Sequence, residues 1–369
     1  MRLRRQGLPA PPAHFNNVQP VQVVLVTAKP IGILKTMRAF VFRRYGKPDQ
    51  VGFAETSRPV PRPDEILVQV HAAGLNPIDN MIPKGTFKPM LQFKLPATLG
   101  SDLAGVVVEV GHRVTRFKPG DAVFASIFDQ GTGSLAEFAV VPETAAALKP
   151  ANLDFVQAAS IPMVGLTSWQ ALKDRIRIKP GQKVFIPAGS GGIGTFAIQL
   201  AKVFGAKVGT TTSTANVDWV RSLGADEVVD YKKQEFETVL RDYDAVLGTV
   251  RGDALLKSLR ILKPNSTIAS LIGPPDAAFA RARGMNAFFR FVFGLLSRKI
   301  IGQGKKRGVA YSFLFVHPDG GQLAEIATLL EAGRIRPVID KVFPFEQAKE
   351  ALAYLAKGRA KGKVVVQMR

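Results

Sequence analysis

The 369-residue chain contains no cysteine. That absence excludes disulfides, thiolate nucleophiles and thiolate-bound zinc outright. Histidine is nearly as scarce: His14, His71, His112 and His317 stand far apart and show no HExxH-like spacing, so no metal site is expected. Acid is short as well, with 29 Asp and Glu against 50 Lys and Arg, a formal net charge of +21. Such a balance suits nucleic acid, an anionic membrane or acidic ligands. The cations are scattered through most of the chain, which favours a basic globular protein with an anionic ligand. No RNP, KH, helix-turn-helix or zinc-finger pattern supports nucleic acid as the partner. Long apolar runs are missing too, and VQVVLV at 21–26 is too short to span a bilayer.

What is present points to a folded interior. Hydrophobic residues make up 46% of the chain and the mean hydropathy is +0.10. The length suits two domains better than one core. Residues 1–36 open with Arg2, Arg4 and Arg5 and carry Pro9, Pro11 and Pro12, without the apolar core or small-residue cleavage site of a secretory signal. They read as a disordered leader, or as sequence upstream of a true start at Met37. The expected location is cytoplasmic.

The chain is organised around Lys183 to Gly205, KVFIPAGSGGIGTFAIQLAKVFG. A strand runs into Gly189-Ser190-Gly191-Gly192-Ile193-Gly194, and a helical pattern follows from Thr195 to Phe204. Glycines at such a turn permit a tight bend, let backbone approach a pyrophosphate, and allow helix to pack closely on strand. The helix start offers free N–H groups and a positive dipole end to phosphates. A glycine-rich turn can also be purely structural. Here the flanking strand and helix, and a second strand at Lys207 to Thr212, meet the context for a dinucleotide site.

Before this stretch, short strands with Pro and Gly punctuation run from MRAFVF at 37 through EILVQVHAAGL, LAGVVVEVG, DAVFASI and SLAEFAVVP, a mostly β region. After it, strands alternate with helices expected over 217–223 and 253–262, which implies a parallel sheet covered on both faces. Segment 276–307 differs, combining Phe279, Phe288, Phe289, Phe291 and Phe293 with eight Lys and Arg and a single acid, Asp276. Helices over 322–332 and 345–356 and a closing strand at 363–368 complete the chain.

This order of parts resembles the zinc-lacking quinone oxidoreductase and alkenal/enone reductase branch of the medium-chain dehydrogenase/reductase superfamily. The residues that carry the resemblance are Tyr45-Gly46, Gly74-Leu75-Asn76-Pro77-Ile78-Asp79, Gly100-Ser101-Asp102-Leu103-Ala104-Gly105, Val164-Gly165-Leu166-Thr167, the glycine loop, Leu223-Gly224-Ala225-Asp226, Asp230-Tyr231 and Lys361-Gly362-Lys363-Val364. It implies an α/β protein in which a Rossmann doubly wound parallel sheet is inserted into a GroES-like, mostly β catalytic domain. The implied division is 37–160 and 311–369 for the catalytic domain, and 161–310 for the cofactor domain, with 276–307 as an insert. A homodimer is implied as well.

The end of the second strand, where NAD-specific folds place an acid, reads Thr210 to Asn216 without one. NADPH is therefore the expected cofactor, with Thr212, Ser213 and Asn216 toward its 2′-phosphate. Related reductases often carry Lys where Ala215 stands. By resemblance Tyr231 lies near the adenosine phosphate, and Ile272, Gly273, Phe313 and Leu314 complete the candidate cofactor residues. Asn76 occupies the place where zinc-containing relatives present a cysteine, and the resemblance sets it by the nicotinamide and substrate oxygen. It could donate to a developing oxyanion, or merely start an Asx-Pro turn. Asp79 reads as a positioning group and Tyr45 as a proton relay or a core aromatic. Asp102 lacks a nearby basic motif partner and reads as structural.

The implied activity is metal-independent, NADPH-dependent hydride transfer to a quinone or an α,β-unsaturated carbonyl. The alternatives are an enoyl-thioester reductase, or an NADPH-binding protein that mainly binds nucleic acid. Segment 276–307 reads as a lid over the acceptor cleft with peripheral membrane contact, or as a domain-packing helix with a solvated basic face.

Overall fold

The computed structural model describes residues 36–46, 50–88, 90–91, 93–131 and 133–369. The leader, apart from Thr36, lies outside the described residues. Thr36 to Arg369 pack as one unit.

The amino-terminal strands are β1 (Thr36–Phe42), β2 (Val51–Ser57), β3 (Glu65–Leu75), β4 (Ala97–Thr98), β5 (Asp102–Val110), β6 (Ala122–Ser126), β7 (Phe138–Pro142) and β8 (Ala146–Leu148). β1, β2 and β4 form a three-stranded sheet. The others join β15 (Ile339–Pro344) and β16 (Lys363–Gln367) in a seven-stranded sheet of order β15-β16-β3-β5-β6-β8, with β7 also on β3. β3 is buried at nearly every position because it is covered on both faces, which explains its continuous apolar run. The GroES-like domain is thus closed by a strand from the far end of the chain, Val364 to Gln367 pairing with Leu75 to Ala72.

Between these halves lies a six-stranded parallel sheet: β9 (Lys183–Ile186), β10 (Lys207–Thr212), β11 (Glu227–Asp230), β12 (Tyr243–Gly248), β13 (Leu262–Ser270) and β14 (Ala310–Phe313). Its order is β11-β10-β9-β12-β13-β14, the doubly wound pattern whose reversal point lies between β9 and β12. The residue boundary at 310/311 falls within β14, which belongs to this sheet.

The helices are α1 (Pro77–Met81), α2 (Phe155–Ala159), α3 (Pro162–Trp169), α4 (Gly192–Val203), α5 (Val217–Ser222), α6 (Phe236–Val239), α7 (Ala254–Ser258), α8 (Ala277–Ala282), α9 (Ala287–Lys306), α10 (Gly320–Glu331) and α11 (Ala348–Ala356). The expected helix over 253–262 is shorter, since Leu262 already begins β13. α3 starts at Pro162 and passes after Trp169 into a π-helical turn over 170–176. α3 is buried at every residue. It can be so apolar because both sides are occupied: Gly165 leaves room for Ile326 of α10 and Phe196 of α4, and the backbone N–H of Met163 donates to Asp102 at the start of β5.

Candidate active site

The glycine loop leaves β9 at the reversal point, and its glycines are not equivalent. A Cβ on Gly189 would lie 2.4 Å from Thr210 Oγ1, and one on Gly194 would lie 2.3 Å from the carbonyl oxygen of Ala188. Both are therefore demanded by the fold itself. Gly191 is different: its Cβ would meet nothing closer than 3.4 Å, so the space before it is open. Ser190 and Ile193 are half-buried in the same loop. Ala188 holds φ at +57°, a conformation that usually selects glycine. The loop is also tied to the carboxy-terminal segment, because Gly362 N–H donates to the Ser190 carbonyl at 3.0 Å and Gly191 pairs with Gly362.

At the end of β10, Thr211 is spent on the loop, its Oγ1 accepting from Ala188 N–H. Thr212 Oγ1 and Asn216 Oδ1 are buried and have no hydrogen-bond partner among the described residues. Asn216 Nδ2 donates to Ser213 Oγ at 3.2 Å, and Tyr231 beside them is 59% exposed. Orphaned polar atoms next to an open glycine loop fit the ribose and phosphate groups of a dinucleotide. The end of β10 carries no acid of its own. β11 pairs with β10 so that Asp230 lies opposite Thr212, a carboxylate supplied by the neighbouring strand. The Thr214 hydroxyl, the Lys232 N–H and the charge of Lys233 hold it below the ordinary carboxylate range.

Ile272 and Gly273 follow β13, and a Cβ on Gly273 would strike the Tyr311 hydroxyl at 2.5 Å. Phe313 and Leu314 are buried. Their backbone N–H groups donate to Asp276 Oδ2 and to the Ser270 carbonyl, so neither donor is left for a ligand.

Asn76 caps α1 and is 4% exposed. Its backbone N–H donates to the Asp79 carboxylate, one arm of a capping box. Nδ2 donates to Asp102 Oδ2 at 3.0 Å, and Oδ1 accepts from Lys363 Nζ at 2.6 Å. Because an ammonium can only donate, it fixes which way the amide points. Lys363 Nζ also lies 3.4 Å from Asp102 Oδ2. Asp102 therefore has a basic partner after all, one that arrives on β16 because β16 and β5 flank β3. Burial pushes the Asp102 carboxyl up and the Lys363 ammonium down, and the attraction between the two opposes both shifts. Asp79 is fully buried, accepting from Asn76 N–H at 2.7 Å and Ser101 Oγ at 2.7 Å. Burial outweighs those bonds and lifts its pKa to about 7. Lys363, Ser101 and the Met163 N–H are parts of this cluster to which the sequence assigned no role.

Tyr45 stands apart from the cluster. Its ring packs on Phe42 at 5.3 Å and under Lys88, and its hydroxyl has no hydrogen-bond partner among the described residues. Segment 276–307 forms α8 and α9. Its inward aromatics join both sheets' loops: Phe279 meets Phe313 at 5.0 Å and Phe315 at 5.7 Å, and Phe315 meets Phe128 at 5.1 Å. Arg283 closes the contact with an ion pair to Asp129 at 2.6 Å. Among the described residues, no group of three His, Asp or Glu could hold a metal.

A doubly wound cofactor sheet set into a GroES-like sheet, with a glycine loop facing their joint, is the architecture of a dehydrogenase or reductase. Residues 62–151 match the alcohol dehydrogenase GroES-like domain, and residues 223–366 the family described as zinc-binding dehydrogenase. The chain belongs to the medium-chain dehydrogenase/reductase family and is an oxidoreductase. It is 36% identical to the NAD(P)H oxidoreductase RTN4IP1, mitochondrial, of Danio rerio over 90% of this chain and 91% of that protein. It is 35% identical to the NADPH-dependent alkenal/one oxidoreductase, chloroplastic, of Arabidopsis thaliana, over 90% and 80%. The quinone oxidoreductase structure from Coxiella burnetii superposes with a TM-score of 0.78 at 30% identity, covering 91% of this chain and all of that one.

Proposed function

We propose that this protein is an NADPH-dependent reductase that delivers hydride to a quinone or to the β-carbon of an α,β-unsaturated ketone or aldehyde. Bound NADPH supplies the hydride. Everything else falls to the chain. The loop 189–194 and the first turn of α4 hold the pyrophosphate, while Thr212, Ser213, Asn216 and Tyr231 take the adenosine ribose and its phosphate. Asn76 has a second Nδ2–H beyond the one given to Asp102, and that donor meets charge developing on the acceptor oxygen. Lys363 keeps the amide from flipping. Asp79 positions Asn76 through its backbone, and the proton comes from solvent or from Tyr45. Phe128, Phe279 and Phe315 wall an apolar acceptor.

The observation that carries this reading is the Asn76 amide clamped between Lys363 and Asp102, where the closing strand meets the glycine loop. Steady-state turnover with NADPH against quinones, enones and enoyl thioesters tests it. Quinones or enones should turn over fastest, and Asn76→Ala should lower kcat roughly a hundredfold, the scale of one lost oxyanion donor. A clear preference for enoyl thioesters, or unchanged kcat in the mutant, would overturn it.

A further inference from the structure

The described residues leave nine large apolar side chains exposed, and four of them fall within nine positions of α9: Phe288 at 67%, Phe291 at 72%, Leu295 at 59% and Leu296 at 55%. The clustering follows from helical geometry. Phe289, Phe293, Ser297, Ile300 and Gly304 repeat every three or four residues along the face turned to the protein, and all but half-buried Phe289 are buried. Phe288, Phe291 and Leu295 lie on the opposite face, which continues toward the carboxyl end as Arg298, Lys299 and Lys306, all exposed. The outer face is therefore apolar over its first turns and cationic over its last.

No acid follows Asp276 in the segment, and Asp276 is itself consumed as the cap of α8 and the acceptor for Phe313 N–H. Of the eight cations, Arg283 is the one with a carboxylate partner among the described residues. A solvated face does not require Phe and Leu outward, and two copies packed on this face would set cations against cations if parallel, or against the apolar half if antiparallel about the helix middle. A lipid surface satisfies both halves: the aromatic half enters the acyl boundary while the cationic half meets phosphate. No helix among the described residues is long and apolar enough to cross a membrane, so the contact is with one leaflet.

We propose that the outer face of α9 docks on an anionic lipid bilayer. The inward face of the same helix contributes Phe289 and Phe293 to the aromatic wall, so docking sets the acceptor cleft beside the lipid. The proposal is separable from the acceptor reading, because its test measures no turnover.

The full chain is floated with phosphatidylcholine vesicles, with or without roughly 30 mol% phosphatidylglycerol. Binding is expected only on the anionic vesicles. The combined change Phe288→Ser, Phe291→Ser and Leu295→Ser should reduce bound protein roughly tenfold or more. Arg298→Gln with Lys299→Gln and Lys306→Gln should abolish the preference for anionic lipid. If the serine variant melts early, Phe291→Ser alone carries the test. The proposal fails if the parent binds neither vesicle or both equally, or if the serine variant binds as the parent does. It also fails if the serine change turns a dimer into monomer with vesicle binding unaltered, or if it removes binding to a DNA duplex instead.

Discussion

Lys363 Nζ lies 2.6 Å from Asn76 Oδ1, across 287 positions of sequence. One residue before it, Gly362 is hydrogen-bonded to the glycine loop. The cofactor loop and the candidate oxyanion donor are thus held by adjacent residues, Gly362 just before β16 and Lys363 at its start.

Removing the ammonium leaves Asp102 as a buried, unpaired carboxylate. Lys363→Met should cost about 3–5 kcal/mol of stability in urea unfolding. Adding Asp102→Asn should restore most of it, because the stranded charge goes with its partner. A double mutant no more stable than Lys363→Met would show that the lysine acts by packing alone.

Asp79 should make stability fall with pH. Its folded pKa, about 7, exceeds the unfolded value of 3.8, so between those values the folded state binds more proton than the unfolded state. Stability is then lost as pH rises from about 4 to about 7 and is flat above. Asp79→Asn mimics the protonated form and should remove that loss, on the order of 4 kcal/mol over the window. Parallel pH-stability curves for parent and mutant would contradict this.

Gly191 and Gly194 should separate cofactor space from fold. Gly191 has φ at −81°, which any residue adopts, and open space before it. Gly191→Val should keep the melting temperature and lose NADPH binding in calorimetry. Gly194→Val should cost about 1–3 kcal/mol or more by overpacking against the Ala188 carbonyl. Normal NADPH binding by Gly191→Val would make the loop a turn and nothing else.

NADPH preference should be modest, since Asp230 lies beside Thr212 and Ala215 offers no cation. Ala215 is exposed. Ala215→Lys should add about 1–2 kcal/mol to NADPH affinity, the scale of a charge-assisted hydrogen bond, and nothing to NADH. Equal gains for both cofactors would remove the 2′-phosphate from this position.

The cofactor sheet is legible because its signals are local. A strand, a glycine loop and a helix follow one another within 183–205, and alternation repeats downstream. The acceptor side is written at a distance. Nothing near Asp102 announces a cation, and Lys363 merely begins an apolar strand, KVVVQ, where its only local peculiarity is a charge in a buried run. Asp230, quoted only for the resemblance, received no place at this end for a similar reason: the rule about acids follows one strand, whereas the register of β10 on β11 sets Asp230 opposite Thr212. The composition of 276–307 betrays an unusual segment, but which phenylalanines face the cleft and which face outward depends on the phase of α9.

The pairing of β16 with β3 also orders events during folding. Ala72 to Leu75 gain this partner only from Val364 to Gln367, with the whole cofactor sheet between them in sequence. Closing so long a loop is slower than forming the nested βα units, whose contacts are near neighbours. Until it closes, that edge of β3 is an open template for other strands, which makes dilute conditions favour recovery on refolding. Pulse-labelled hydrogen exchange should therefore protect the amides of β9, β10 and β12 before those shared by β3 and β16, and simultaneous protection would argue against this order.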